Sequence, residues 1–524
     1  MRKVEEELAM MKKHSFYIKS SVIKNHTFLF VLTVLALLGS IGCAPDSTAH
    51  IADGGVDAIA KPDIEVPDAY IPTLDGGTPA YQVPEHLLVA ENARAPSVTT
   101  DSYGNLHIAY LCNCDTEAAG NTASVSCNRI CYSRVDCNGI HEVVGPDDGI
   151  DGTGWWGNFI GARIHLDEED NVFVLKDISS KQQFHTQVDP NSVHRFDETT
   201  GAFVNIESNF ETVAMLPHGE RVYLVTKRDQ QEGGENGVFL KVIDYAGAEV
   251  SAPERLYETE YGASLFVGGM LMDKDGKIHI MFRIDDCSEG GETDTKEIVY
   301  DPIKETVLST KSVTNARTGD HHNISVGGTD GDLMAATAPR AWSQGIFVTL
   351  RRLEQSTWSR STNNDSAPFY FSDDTRVIWL GDAHETVDHF NPEVAVDKYN
   401  RVFVAFGGVN DGIASGDQYN FHVCHYRGPC DCTAEDAPCS HSVNAYYFIV
   451  YENGAIEPIT KIRPDSTFEN FQGDGEATVE LTPAWDQGVF AVYEHLEHFD
   501  GGSFNIYLTP LGGAATACGV PVVE

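Results

Sequence analysis

Past residue 83, short runs of alternating apolar and polar residues are separated by clusters of Gly, Asp, Asn and Pro. A period of two is typical of strands buried on one face, and almost no stretch has the 3.6-residue period of an amphipathic helix. One pattern recurs: a polar or glycine-containing turn, then an apolar run with an aromatic ring or a histidine at its third position. Its seven copies are NLHIAY from Asn105, NVFVLK from Asn171, RVYLVT from Arg221, KIHIMF from Lys277, GIFVTL from Gly345, RVFVAF from Arg401 and GVFAVY from Gly488.

A further strand pattern precedes each copy and another follows it, which gives seven units of about four strands. The closest internal match is AWSQGIF (341–347) against AWDQGVF (484–490). A small sheet repeated in this way needs neighbours to cover both of its faces, so the repeats predict an all-β, seven-bladed β-propeller of four-stranded blades over residues 83–524. Two β-sandwiches with coincidental strand spacing are the alternative.

The two ends of this region predict how the ring closes. The seventh unit has three clear strands and a poor fourth, whereas EHLLVAE (85–91) precedes the first unit as an orphan strand. A ring closes without an open edge when a strand from one terminus completes the sheet of the other. We therefore predict that residues 85–91 pair beside FNIYL (504–508).

The N-terminus has the pattern of an export signal. Lysines precede the apolar run TFLFVLTVLALLGSIG, which ends at Cys43 and is short for a membrane span but suitable for a signal peptide. Ser40 and Gly42 resemble the lipobox of bacterial lipoproteins, which implies a lipid on Cys43 as the first mature residue. An ordinary secretory signal with an incidental cysteine is the alternative.

These features divide the chain into a lipoprotein signal peptide (1–42), a tether (43–82) and the propeller (83–524). The tether is rich in Asp, Gly, Pro and Ala without strand or helix period, so we expect it to be disordered. The signal predicts an exported protein, held on the outer membrane or cell surface of a Gram-negative bacterium.

The net charge of the chain limits the classes of molecule that it could bind. The chain has 78 acidic and 36 basic residues, for a net charge of −42, and such a surface repels nucleic acid. We expect an extracellular glycan or protein as ligand, membrane contact only through the lipid, and a monomer. No cofactor is predicted; calcium at the Asp-Gly pairs of the tether is the alternative, although their spacing is irregular.

Long, varied loops leave one predicted face of the propeller, and tight turns leave the other, so the long-loop face is the candidate functional surface. Four residues beyond the third position, three adjacent repeats carry Lys227, Arg283 and Arg351, which suggests an anion pocket, for example for a carboxylate. Pairing with local acids is the alternative.

Other polar and aromatic candidates fall on the same predicted face. His321, His322 and His389 lie on blade-linking loops as candidate general bases, or as solvated histidines. Trp155 and Trp156 are candidates for stacking on a sugar, or for packing between blades. The third-position histidines, His107 and His279, replace the Phe or Tyr of other repeats, so we predict that both are packed between blades.

Cysteines cluster in two repeats. In an exported protein this favours disulfides that brace long loops. A zinc site at the second cluster, with nearby His422, His425 and His441, is the alternative, although its spacing is irregular and no metal is predicted. The candidates are Cys112, Cys114, Cys127, Cys131 and Cys137 in the first repeat, and Cys424, Cys430, Cys432 and Cys439 in the sixth.

Stretches such as APSVTTDSYGNLHIAY followed by ICYSR resemble the propellers grouped with sialidase-like and BNR-repeat proteins. The resemblance covers most of residues 85–524 and implies a group that includes sialidases, polysaccharide lyases and bacterial surface proteins. The Ser-x-Asp-x-Gly-x-x-Trp box of sialidases does not occur. We therefore expect a surface protein that binds a glycan or another extracellular ligand; a glycan-active lyase or hydrolase and a structural surface protein are the alternatives.

Overall fold

The protein is described by a computed structural model over residues 81–514. The description leaves out 115–126, 152–160, 178–190, 210, 229–234, 260–263, 286–292, 315–324, 329–332, 340–345, 355–357, 359–391, 411–413, 416–417, 420–441, 453–454, 456, 458–459, 464–478, 486 and 497–503. None of the described residues forms a helix long and apolar enough to cross a membrane.

Seven antiparallel sheets of the described residues are the blades of a seven-bladed β-propeller, as predicted, and a separate two-stranded hairpin is the eighth sheet. Blade 1 contains β2 (Arg94–Thr100), β3 (Leu106–Cys114), β4 (Cys127–Asp136) and β5 (Gly139–Val144), with the short β6 (Ile150–Asp151) also paired to β4. Blade 2 contains β7 (Gly161–Leu166), β8 (Val172–Asp177), β9 (Ser192–Asp197) and β10 (Ala202–Ser208). Blade 3 contains β11 (Thr212–His218), β12 (Arg221–Arg228), β13 (Gly237–Asp244) and β14 (Glu249–Glu258). Blade 4 contains β15 (Ser264–Met272), β16 (Ile278–Asp285), β17 (Thr293–Asp301) and β18 (Thr306–Thr314).

The remaining blades include the closure of the ring. Blade 5 has three described strands, β19 (Ser325–Gly327), β20 (Leu333–Pro339) and β21 (Ile346–Arg352). Blade 6 contains β22 (Glu393–Val396), β23 (Val402–Asn410), β26 (Ser442–Val450) and β27 (Thr460–Lys461), and the hairpin of β24 (Ala414–Ser415) and β25 (Gln418–Tyr419) lies between β23 and β26 in the chain. Blade 7 contains β28 (Val479–Pro483), β29 (Val489–Leu496), β30 (Phe504–Leu511) and, as its outer strand, β1 (Leu87–Ala90).

The predicted closure is confirmed. β1 pairs antiparallel with β30, with Leu87 opposite Leu508 and Ala90 opposite Ile506. The side chain of His86 adds hydrogen bonds to the hydroxyls of Tyr493 and Thr509, both 3.0 Å long. A strand from the N-terminal end of the propeller therefore covers the edge of the last blade, which would otherwise expose unpaired backbone groups.

The core consists of apolar layers between neighbouring blades. One such layer joins the facing sides of blades 3 and 4, and another joins those of blades 7 and 1. His107 and His279 are buried in the blades, as predicted, with only 4% and 2% of their surfaces exposed. Both ring nitrogens of each histidine have a nearby hydrogen-bond partner: His107 contacts Tyr132 and Asp101, and His279 contacts Glu297 and Asp273.

Tight turns join the first and second strands of four blades and share one design. An aspartate accepts backbone N–H groups two and four residues further on, and the residue three positions on has positive φ. Glycine, aspartate and asparagine tolerate that conformation best. The four aspartates are Asp101, Asp167, Asp273 and Asp397. We call the end of the propeller that carries these turns the turn face, and the opposite end the long-loop face.

Blade 5 departs from the predicted alignment of repeats. The repeats align GIFVTL with the second strands of the other blades, but its residues 346–350 lie in β21, which is the third described strand of its sheet, because β19 precedes β20 on the inner side. The alignment was wrong by one strand. A turn followed by an apolar strand has the same local pattern at either position in a blade, so the sequence repeat alone does not count strands.

Candidate functional site

The first strands of all seven blades surround a central channel, which contains a cavity of about 300 Å³. Most of its lining consists of small or aliphatic residues. Four ionisable side chains also line it: Arg163 and His165 from β7, Glu393 from β22 and Glu480 from β28. A concave site with a few convergent polar groups on a rigid scaffold is the usual form of a ligand pocket.

Three of these charges lie at one level of the channel. Each is paired with the residue two positions beyond the third position of the repeated motif, on the second strand of the same blade, so all three have the same height in their blades. The pairs are Arg163 with Leu175, Glu393 with Ala405 and Glu480 with Val492. Small residues occupy the same level in blades 1, 3 and 4: Ser97, Ala214 and Gly269. We call Arg163, Glu393 and Glu480 the charged layer.

Around the ring, the charged layer is asymmetric. Glu393 and Glu480 stand on the adjacent blades 6 and 7, whereas Arg163 stands on blade 2. The guanidinium of Arg163 reaches past blade 3 to blade 4, where its Nη1 donates to the carbonyl oxygen of Gly268 at 3.5 Å. A positive group and two negative groups thus face a shared space, in which small residues leave room for a ligand.

His165 lies two residues beyond Arg163 on β7, on the turn-face side of the charged layer. Burial, together with the neighbouring positive charge of Arg163, lowers the pKa of His165 to about 4. The imidazole is therefore neutral at pH 7 and offers one hydrogen-bond donor and one acceptor to the channel. A side chain with so low a pKa is a weak general base.

Bulges interrupt the first strands of blades 1, 3 and 4 at or above the charged layer. In blade 1 the bulge includes Ala95, which has φ of 46°, a conformation costly for a residue with a Cβ. The carboxylate of Glu494 holds it there, accepting the N–H of Ala95 and lying 3.7 Å from the guanidinium of Arg94. Bulges re-aim strand residues and are frequent beside functional sites.

Two of the three predicted anion-binding cations come together at the long-loop end. Lys227 and Arg283 both lie against the ring of Phe266 on β15, at 5.6 Å and 5.7 Å from its centroid. Lys227 also donates to the carbonyl oxygen of Leu265 at 3.1 Å. The residue pair Phe266–Arg283 is two positions nearer the long-loop face than the charged layer. These two cations therefore lie at the long-loop end of blades 3 and 4, where Arg283 is buried.

Arg351 is not part of that group, which corrects the predicted line of three equivalent cations. It lies on the third strand of its blade, and third strands run opposite to second strands. Its side chain is 1% exposed and is ion-paired with Glu297 of blade 4, and it also contacts Met334 and the ring of Trp358. A guanidinium in this position neutralises a buried acid and does not face the channel mouth.

Arg351 belongs to a buried network that links blades 4 and 5. Glu297 accepts hydrogen bonds from Arg351 and from the indole N–H of Trp358, and contacts His279 at 2.6 Å. Burial alone would lower the pKa of His279, but its bonds to Asp273 and Glu297 outweigh burial and raise that pKa. Burial would raise the pKa of Glu297, but His279 and Arg351 lower it.

Disulfides join the second and third strands of blade 1. Cys112 is bonded to Cys131, and Cys114 to Cys127, on either side of the connection between β3 and β4. Cys137 is also disulfide-bonded. This supports the prediction that cysteines brace a long-loop connection. The other cysteine candidates, Cys424, Cys430, Cys432 and Cys439, lie outside the described residues.

Several other predicted positions also lie outside the described residues: His321, His322, His389, Trp155, Trp156 and Cys43. Among the residues that are described, no group of three or more metal-binding side chains comes together. Sequence reasoning missed the charged layer and His165. The available signal was a charge at the same position of the first strand in three repeats, four residues before the turn.

No family model matches the chain, and no curated protein does. Among solved structures, the propeller domain of the trilobed protease from Pyrococcus furiosus is 8% identical with a TM-score of 0.36, over 80% of this chain and 96% of that one. A Trypanosoma rangeli sialidase is 9% identical with a TM-score of 0.36, over 85% of this chain and 57% of that one. A polysaccharide lyase of family PL25, an ulvan lyase, is 10% identical with a TM-score of 0.30, over 82% and 96%. The propeller assignment rests on the sheets themselves.

Proposed function

We propose that this protein is an exported, lipid-anchored surface propeller that binds an extracellular glycan at the long-loop end of its central channel. The observation that carries the proposal is the charged layer. The guanidinium and the two carboxylates of this layer, together with the neutral imidazole of His165 on its turn-face side, supply donors and acceptors in fixed directions, which suits the adjacent hydroxyls of a sugar. Lys227 and Arg283 at the long-loop end add positive charge for a ligand that carries a carboxylate.

The net charge of the chain limits which classes of glycan could bind. With a net charge of −42, the protein repels a polyanion at long range. A neutral glycan, or one with isolated acidic or amino groups, is compatible with that field and with a channel that contains both signs of charge. The export signal and the lipid on Cys43, both inferred from sequence, place such a ligand outside the cell.

A glycan array on the purified protein, followed by titration of the hits, tests this function. We expect Glu480→Gln to weaken binding about 10- to 150-fold, because a hydrogen bond to a charged group contributes about 1.5–3 kcal/mol. The matched control is Glu198→Gln, an exposed acid at the turn between β9 and β10, which should leave affinity unchanged. Equal effects of both substitutions, or no hit on the array, would refute a glycan site in the channel.

A glycan-active enzyme is the second candidate, and the observation that favours it is the pair Glu393 and Glu480. Two carboxylates that flank one site are the usual apparatus of glycoside hydrolysis, one as acid and the other as base or nucleophile. Assays for new reducing ends and for unsaturated products on each bound glycan distinguish the two functions. Turnover that either Gln substitution abolishes supports the enzyme, whereas binding without product supports the binding protein.

A further inference from the structure

The chain enters the propeller at the turn face. Tyr81, the first described residue, lies beside Gly139, which follows the turn between β4 and β5. Val83 is 5% exposed and belongs to the apolar layer between blades 7 and 1. The polypeptide that precedes residue 81 is therefore joined to the propeller beside the tight turns of blade 1.

The direction of β1 confirms this entry point. β30 begins with Phe504 at the long-loop end, where that residue faces Leu496, and it ends with Leu511 opposite Val489 at the turn end. Since Leu87 pairs with Leu508 and Ala90 with Ile506, β1 runs from the turn face toward the long-loop face. The point at which the chain enters the propeller and the channel mouth are consequently at opposite ends of the propeller.

We infer that the anchored protein sits with its turn face toward the lipid surface and presents the long-loop face, with the channel mouth, to the exterior. This inference rests on the lipid at Cys43 that the proposed function includes. Cys43 and Tyr81 are separated by 37 residues rich in Asp, Gly, Pro and Ala, and a flexible chain of that length has a root-mean-square span of ~33 Å. That span separates the turn face from the membrane and leaves the opposite face open to soluble partners.

Aspartates of the turn face accept hydrogen bonds within their own turns. The aspartates of its turns already accept backbone N–H groups, as in Asp101 and Asp273 at one kind of turn and Asp197 and Asp301 at the other. Their negative charge disfavours close contact with anionic lipid. Because this charge opposes direct contact with the headgroups, the orientation requires that the 37 residues between Cys43 and Tyr81 hold the turn face away from the lipid surface.

Energy transfer to a labelled membrane tests the orientation with two matched positions on blade 2. Glu198 is exposed at the turn face and Ser208 is exposed at the long-loop end, separated by β10, a strand of seven residues that spans ~24 Å. A donor dye is attached through an unnatural amino acid at one position or the other of the full-length lipidated protein. The protein is placed in phosphatidylcholine vesicles that carry an acceptor dye on a lipid headgroup.

We expect stronger quenching of the donor at residue 198 than at residue 208, and none for either in a Cys43→Ser variant. Equal quenching at both positions, or stronger quenching at 208, in protein that floats with the vesicles would overturn the orientation and leave the anchor intact. Failure of the unsubstituted protein to float with vesicles would overturn the anchor and the orientation together, while glycan binding in solution would still test the channel site.

Discussion

The buried network between blades 4 and 5 gives the sharpest test of the physical reasoning. Glu297 is fully buried and contacts Arg351, His279 and Trp358, so Glu297→Gln keeps the shape of the side chain but removes the carboxylate charge that pairs with Arg351. Breaking a buried ion pair from one side leaves the other charge uncompensated, which typically destabilises by about 3–5 kcal/mol.

The expected shift in the thermal midpoint follows from the size of the domain. Unfolding entropy is about 2.1 cal/mol/K per residue near 60 °C, so ~430 residues give ~0.9 kcal/mol/K. A loss of about 3–5 kcal/mol therefore lowers the midpoint by about 3–6 °C. Calorimetry or fluorescence-monitored melting at pH 7 measures this directly.

The adjacent residue provides a matched control. Arg352 pairs with Glu452 through two hydrogen bonds, but both side chains are about one third exposed. Surface pairs contribute about 0–1 kcal/mol, so Glu452→Gln should lower the midpoint by about 1 °C or less. If Glu297→Gln lowers the midpoint no more than Glu452→Gln does, the assignment of a strongly coupled buried pair is wrong.

Three further predictions concern pH, covalent links and ring closure. The folded state raises the pKa of His279 above its ordinary 6.5, so the stability that protonated His279 contributes is complete below pH 6.5 and is lost as pH rises through the folded pKa. The difference in unfolding free energy between wild type and His279→Gln should therefore shrink from pH 6 to pH 9. A difference that grows over this range would contradict the assigned partners. Replacing Cys112 and Cys131 together by alanine should cost about 2–4 kcal/mol in denaturant unfolding, and no loss would show that this disulfide does not constrain blade 1. A chain that begins at residue 92 lacks β1 and should melt lower and aggregate through the exposed edge of β30, whereas one that begins at residue 81 should match the intact domain; equal behaviour by light scattering would refute the closure.

Much of the fold was determined by patterns that are local in sequence. Strand alternation, turn residues and the repeat of a whole unit predicted seven blades, because a small sheet must bury both faces against its neighbours. The orphan strand at 85–91 was predicted to close blade 7, since a ring disfavours an open edge. Burial of His107 and His279 followed from their place in a slot that other repeats fill with aromatic rings. Each inference needed only position within a repeat.

Only the tertiary structure decided which side chains of different blades lie next to one another. The repeat pattern placed Arg351 with Lys227 and Arg283, but the extra inner strand β19 moves it to the third strand and pairs it with Glu297, because one turn and strand resemble another locally. The charged layer was also hidden, since Arg163, Glu393 and Glu480 are more than 80 residues apart and converge only when the ring closes. Position within a repeat predicts a residue's height in its blade only where the strand is correctly aligned, and the side chains that the residue faces across the channel depend on the closed ring.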